Sequence, residues 1–102
     1  MPAPADEAET SGSLVSAPRV RIRYWAGARA AAGVADEVVE ARTVADALAA
    51  ARAAHADEPR FAAILSVCSF LLAEAPVGTR DLADVAVVDG DILDVLPPFA
   101  GG

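Results

Sequence analysis

The last six residues of the sequence, 97–102, read PPFAGG and join a stiff segment to a thin end. Each proline fixes its φ angle and lacks an N–H, so Pro97 and Pro98 are expected to stop a preceding strand and to stiffen the exit from it. Gly101 and Gly102 have no Cβ, so with Ala100 they are expected to form an extended tail that fits a narrow channel in another protein. The terminal carboxylate expected on Gly102 is a group that can be chemically activated.

Apolar side chains lie on both sides of the two prolines. Leu96 and Phe99, together with Pro97 and Pro98, are candidate docking residues, because interface anchors are commonly apolar or aromatic. The net charge of −7 over 102 residues argues against nucleic acid and against anionic membranes, and it favours a basic groove on a partner. We therefore expect a protein partner, with no nucleic acid and no membrane partner.

The amino-terminal residues and the cysteine content predict a cytoplasmic protein. The single cysteine, Cys68, cannot form a disulfide within the chain and favours a reducing compartment. Residues 1–10 have no positive side chain and no apolar run of the kind found in signal peptides, and no apolar stretch is long enough to span a bilayer. All eight basic residues are arginine, which compositional bias explains more simply than a need to avoid amines near an activated carboxylate.

Other candidate sites lack the spacing that a metal or a nucleotide needs. Asp89, Asp91 and Asp94 lack the further ligands of a calcium loop, so turn and solvent-facing roles are predicted for them. His55 has no Cys or His partner at ligand spacing and is predicted to end a helix, and Cys68 is predicted to be a small buried residue of a strand. We expect no metal site and no bound cofactor.

Composition divides the chain into three parts. Residues 1–17 are rich in Pro, Ala, Ser, Gly and acids and are predicted to be a disordered extension. Residues 18–96 are predicted to be the folded domain, and residues 97–102 the extended tail. The domain begins with a strand in which Val20, Ile22 and Tyr24 face inward. Its outward residues include Trp25, which is either a surface anchor or covered by a neighbouring segment.

The remaining elements follow from caps, turns and periodicity. Gly27 is predicted to end the first strand, Arg29 to cap local carbonyls, and Thr43 to cap the longest helix with Asp46 in its first turn. Short elements are expected as follows: a helical turn ended by Gly33, strands at 37–40 and 67–72, a helix at 60–65, a turn at 74–76, at most a short edge strand within 77–88, a turn at 89–91 and a last strand at 92–96. This order predicts an α+β fold, a mixed sheet of four to five strands with one main helix on one face. A last strand paired with the first would lie in the middle of the sheet and fix the origin of the tail.

Residues 89–102, DGDILDVLPPFAGG, closely resemble the C-terminus of molybdopterin synthase small subunits. These belong to the MoaD/ThiS-type family of ubiquitin-like sulfur carriers, which have the β-grasp fold. Residues 20–26, with Arg29 and Gly33, are similar to the family's first strand and loop, and the helix from Thr43 also fits. The resemblance covers residues 19–102, with a departure at residues 74–78, where the family often has an Asn-Gly hairpin.

The resemblance implies a carrier that is not catalytic alone. An ATP-dependent activating enzyme would adenylate the carboxylate of Gly102, and a sulfur donor would convert it to a thiocarboxylate. The tail would then enter the large subunit of molybdopterin synthase, a heteromeric sulfurtransferase, and deliver sulfur to a pterin precursor of the molybdenum cofactor. The alternatives are a sulfur carrier for thiamine, cysteine or tRNA thiolation, a protein modifier joined through Gly102 to lysines, and a plain binding module.

Overall fold

The computed structural model describes residues 17–98, and the predictions for residues 1–16 and 99–102 lie outside them. The predicted domain boundaries therefore stay predictions. The elements within the described range are β1 (Arg19–Tyr24), α1 (Ala26–Ala32), β2 (Asp36–Glu40), α2 (Val44–Ala54), α3 (Pro59–Leu65), β3 (Ser69–Leu72), β4 (Ala75–Pro76), a 3₁₀ turn (Leu82–Asp84) and β5 (Ile92–Leu96).

The strands form one mixed sheet in the order β2-β1-β5-β3-β4. The last strand, β5, runs parallel to β1 on one side and antiparallel to β3 on the other. The predicted central position of the last strand is confirmed, and so is the predicted α+β class with a mixed sheet. Because β5 is hydrogen-bonded along both edges, the chain reaches Leu96 in a fixed direction.

Alternation along the strands builds the core on one face of the sheet. Val20 and Ile22 are fully buried and Tyr24 nearly so, whereas the arginines between them point to the other face. In β5 the inward residues are Leu93 and Val95, both fully buried. The rest of the core comes mainly from the helices, through Ala28, Val44, Ala47, Leu48, Ala51, Phe61 and Leu65.

The main helix, α2, begins at a cap that the sequence predicts. The Oγ1 atom of Thr43 accepts a hydrogen bond from the backbone N–H of Asp46 at 3.1 Å. The Asp46 carboxylate in turn accepts from the backbone N–H of Arg42 at 3.3 Å, one residue before the cap. A capping box returns its second bond to the cap residue itself, so aspartate here produces a variant of that motif.

The prediction that Gly27 ends the first strand is wrong. The strand ends at Tyr24, and Gly27 lies in the first turn of α1, which Gly33 closes with φ 78° as predicted. A Cβ placed on Gly27 would lie 2.8 Å from Cδ1 of Ile64 in α3. Glycine at this position therefore allows α1 and α3 to pack closely.

The predicted limits of the third strand and of the edge strand are also wrong. β3 begins at Ser69, and Val67, predicted to open it, lies in a turn with 59% of its surface exposed. The edge strand, expected within 77–88, is instead Ala75–Pro76, inside the segment predicted to be a turn. The turn itself is Ala73-Glu74, where both residues have positive φ angles of 50° and 71°. Two-residue hairpin turns with positive φ at both positions favour Asn-Gly, which neither residue supplies.

We expect the double substitution Ala73→Asn with Glu74→Gly to raise the free energy of unfolding by about 1 kcal/mol, because it relieves an unfavourable backbone conformation at both positions. Urea unfolding followed by circular dichroism measures the change. Gly33→Ala is the matched control, because its φ is also positive and no atom lies within 4 Å of the added Cβ. The control should lose about 1 kcal/mol, and equal stability of the double variant and the parent would contradict the assigned turn.

A polar cluster joins the end of α2 to the sheet. His55, predicted only to end the helix, caps α2, and its Nε2 lies 2.6 Å from a carboxylate oxygen of Glu37 in β2. The hydroxyl of Tyr24 donates to the same oxygen at 2.5 Å. Burial and then the neighbouring carboxylate raise the pKa of Tyr24 far above its usual value. The fully buried ring of Phe61 packs against the rings of His55 and Tyr24.

Candidate functional site

The end of β5 is held by contacts from both neighbouring segments. The backbone N–H of Trp25 donates to the carbonyl of Val95 at 3.2 Å, and Ser69 lies opposite Leu96 in the sheet register. Beyond Leu96, Pro97 is half-buried and Pro98 is exposed. The other candidate residues, Phe99, Ala100, Gly101 and Gly102, lie beyond the described range, so their roles stay predictions.

An apolar groove lies beside this exit. We call it the exit groove; its volume is about 670 Å³, and it is lined by residues 25–27 at the start of α1, Ile64, Val67, Ser69, Leu96, Pro97 and Pro98. None of these residues carries a charge, and Ser69 contributes the one polar side chain. Leu96 and the two prolines could be predicted from the sequence as candidate docking residues, but the groove could not, because α3 and the turn after it come from a distant part of the chain.

Trp25 is one of the residues that line the groove. Of the two alternatives left open by the sequence, exposure is the correct one, since 45% of Trp25 is accessible to solvent. Its indole N–H donates to Oδ1 of Asp94 at 2.9 Å. The guanidinium carbon of Arg23 lies 5.7 Å from the centroid of the indole ring, within the range of a cation–π contact.

The predicted solvent-facing role of Asp94 is wrong, because only 3% of this residue is exposed. Arg23 lies directly opposite Asp94 in the parallel register of β1 and β5. Its guanidinium donates to both carboxylate oxygens, at 2.7 and 3.0 Å, and together with Trp25 it covers the aspartate. A signal was present in the sequence, since Arg23 and Asp94 both fall on outward positions of strands expected to pair.

These hydrogen bonds change the acidity of Asp94. The Arg23 guanidinium contributes most and the Trp25 N–H adds to it, so the pKa of Asp94 is lowered although burial opposes the shift. A carboxylate with a lowered pKa stabilises the folded state above its unfolded pKa, which is about 3.9. That stabilisation is lost as the pH falls through the folded pKa of Asp94.

We therefore expect Asp94→Asn to lower the free energy of unfolding at neutral pH by about 2 kcal/mol, because it removes charged hydrogen bonds from a buried site. The difference from the parent should begin to shrink below about pH 4, where Asp94 of the unfolded parent takes up a proton, and it should be lost as the pH falls through the lowered pKa of folded Asp94. Urea unfolding over a pH series measures both effects, with Asp36→Asn as control, since the Arg21–Asp36 pair is exposed. A difference that stayed constant down to about pH 2 would contradict the charged pair.

Of the remaining candidate residues, Asp89 and Asp91 have structural roles, and Cys68 and Arg29 differ in how far they are exposed. The carboxylates of Asp89 and Asp91 accept backbone N–H groups of Arg19 and Val88, so they serve the turn as predicted. Cys68 is half-buried ahead of β3 rather than within it, and burial raises the pKa of its thiol. The side chain of Arg29 is exposed. Within residues 17–98, no helix has the length and apolar character needed to cross a membrane.

Solved structures have the same overall fold as this domain. The small archaeal modifier protein 1 of Methanosarcina acetivorans superposes with a TM-score of 0.70 at 19% identity, covering 85% of this chain and 98% of that one. A putative molybdopterin converting factor subunit 1 of Pyrococcus furiosus gives 0.63 at 23% identity, covering 81% and 100%. A chain of the complex of subunits 1 and 2 of molybdopterin-converting factor from Helicobacter pylori gives 0.59 at 21% identity, covering 82% and 99%.

This chain has the ubiquitin-like β-grasp fold. The resemblance of the chain to the MoaD/ThiS-type proteins is thereby confirmed at the level of the fold, the level that such identities support. No protein-family model matches the sequence, and no curated protein matches it. In this β-grasp domain the exit groove and the Trp25–Asp94–Arg23 cluster both lie where the central strand ends.

Proposed function

We propose that this chain is a sulfur carrier that acts through the carboxylate of Gly102, as the small subunit of a molybdopterin synthase. The observation that supports this most strongly is the central position of β5, after which the described chain reaches the surface at the exposed Pro98, four residues before Gly102. A carboxylate that is presented in this way can be handed from one enzyme to another while the body of the carrier stays folded. The proposal requires that Gly102 ends the mature protein.

The proposed chemistry explains why the end of the carrier needs no catalytic side chain. A carboxylate is a poor electrophile, and an activating enzyme overcomes this by joining Gly102 to AMP, with ATP as the source and pyrophosphate as the product. A donor of sulfide then attacks the acyl carbon, the new C–S bond replaces the C–O bond to AMP, and AMP leaves behind a thiocarboxylate. In the large subunit the sulfur passes to a pterin precursor, and two such deliveries complete the dithiolene of molybdopterin.

The fold comparisons favour this pathway among the sulfur carriers. The Pyrococcus furiosus and Helicobacter pylori structures with the same fold are named as molybdopterin-converting factors, and the second is a complex of subunits 1 and 2. We therefore propose a large subunit of molybdopterin synthase as the acceptor partner and an ATP-dependent activating enzyme as the loading partner. Thiamine, cysteine and tRNA thiolation remain the alternative destinations of the sulfur.

A protein modifier is the second candidate, because structures of small archaeal modifier proteins share the fold. In that case a lysine amine of a target protein, rather than a sulfur donor, would displace AMP from Gly102. The 102-residue sequence contains no lysine, so a modifier of this sequence could not be extended into lysine-linked chains of itself. Lysine-linked conjugates on a denaturing gel would support this candidate.

Co-purification from the source cells tests the choice of pathway. The full chain is isolated under native conditions, and the proteins that remain bound are identified by mass spectrometry. A molybdopterin synthase large subunit supports the proposed role. Recovery of enzymes of thiamine, cysteine or tRNA thiolation instead, with no large subunit, would overturn the assignment to molybdopterin while leaving the carrier mechanism in place.

A further inference from the structure

We propose that Asp94 and Arg23 are positioning residues that hold the indole of Trp25 as a fixed wall of the exit groove. An uncharged apolar segment of the activating enzyme docks against this wall, at the mouth of the cleft that receives Gly102. The docking step rests on the proposed function, whereas the fixed position of Trp25 does not.

The contacts of the indole support the first part. Trp25 has 45% of its surface exposed, and an exposed side chain ordinarily changes rotamer freely. Here its N–H donates to Asp94 at 2.9 Å, and the Arg23 guanidinium that lies against its ring is itself bound to both Asp94 oxygens. Asp94 is buried and belongs to the central strand, which is hydrogen-bonded along both edges, so the indole is tied to the centre of the sheet.

The length of the chain beyond Pro98 supports the choice of occupant. Gly102 lies four residues after Pro98, and four residues span at most about 14 Å in any conformation. An enzyme that encloses the carboxylate of Gly102 must therefore approach the surface from which Pro98 leaves. That surface is the exit groove, and because its lining carries no charge, an apolar and uncharged segment is the complementary occupant.

A Trp25 side chain that is already fixed raises the affinity for the enzyme, because no side-chain conformational entropy has to be lost on binding. Immobilising a flexible side chain at an interface weakens affinity by about three- to tenfold. The contacts of Asp94 remove that loss before the enzyme arrives. Asp94 does not touch the reacting carboxylate, so its substitution should change the affinity for the enzyme without changing the chemical step.

The first arm of the test uses the carrier alone. Trp25 is the single tryptophan of the sequence, so fluorescence anisotropy and acrylamide quenching report on this indole directly. In Asp94→Asn we expect lower anisotropy and stronger quenching than in the parent, at a temperature where circular dichroism shows both to be folded. Asp36→Asn, which alters an exposed pair on the same sheet, should leave both signals unchanged. Unchanged signals in Asp94→Asn would overturn the fixed position.

The second arm measures ATP-dependent adenylation of the full chain by the activating enzyme purified from the same cells. Asp94→Asn should raise KM for the carrier about three- to tenfold with kcat unchanged, and Asp36→Asn should match the parent. Should Asp94→Asn fail to fold, Trp25→Phe removes the N–H donor while Arg23 still pairs with Asp94, and the same rise in KM is expected. An unchanged KM would overturn the docking step, whereas absence of adenylation of the parent would overturn the proposed function.

Discussion

Removal of Gly102 is expected to abolish loading of the carrier and to leave its fold intact. The described core ends at Val95 and the sheet ends at Leu96, so the free energy of unfolding should change by less than about 0.5 kcal/mol. The shortened chain would place its last carbonyl one residue away from the reacting atoms. Misplacement by even 1 Å can reduce a rate by about 100-fold, so thiocarboxylate formation should fall by at least that factor.

Two measurements check this first prediction. Thermal unfolding compares the stability of the parent and of the shortened chain, and the thiocarboxylate fraction of each is read from its mass after expression in the source cells. Gly101→Ala is the matched substitution, because it keeps the length and adds a single methyl group to the proposed narrow tail. Normal loading of both variants would show that the reaction does not take place at this carboxylate.

Leu93→Asp is expected to unfold the domain. Leu93 has no exposed surface and lies between Ile22 of β1 and Leu72 of β3 in the register of the sheet. An unpaired carboxylate at that position costs about 5 kcal/mol or more, which is comparable to the whole stability of a domain of this size. Loading should be lost with the fold, because the activating enzyme would meet an unfolded chain.

The neighbouring residue provides the control for this second prediction. Ile92 belongs to the same strand but faces the other side of the sheet, where Arg21 lies opposite it. Ile92→Asp should therefore cost about 1 kcal/mol and leave a cooperative thermal transition. A normal melting curve for Leu93→Asp, or equal damage from the two substitutions, would show that the facing of β5 is wrong.

The fold could be predicted from the sequence wherever local signals agreed with tertiary packing. Alternation at Val20, Ile22 and Tyr24 predicted the facing of β1, and the cap at Thr43 predicted the start of α2. The hairpin after β3 could not be predicted, because Ala73 and Glu74 are not the residues that positive φ angles favour. The role of Gly27 could not be predicted either, since it depends on a close approach to Ile64 that occurs only in the folded chain.

The residues of the candidate site that are adjacent in the sequence could be predicted, whereas those that only folding brings together could not. Leu96 and Pro97 stand next to each other in the sequence, and their position at the end of the central strand followed from the order of the elements. The exit groove depends on the packing of α1 against α3, and the burial of Asp94 depends on side chains from another strand. The pattern of charges along the sequence predicted that Asp94 faces solvent. That pattern does not show that Arg23 and Trp25 cover the carboxylate of Asp94 in the folded chain.

The mass of the intact protein, purified from its source cells, tests the central claim most directly. The carrier mechanism predicts a chain that ends at Gly102 and a fraction in which one oxygen is replaced by sulfur, with the change located by fragmentation to the last residue. A population without that replacement and without conjugates, under conditions in which the cells make molybdopterin, would contradict it. A mature chain that continues past Gly102 would contradict it equally.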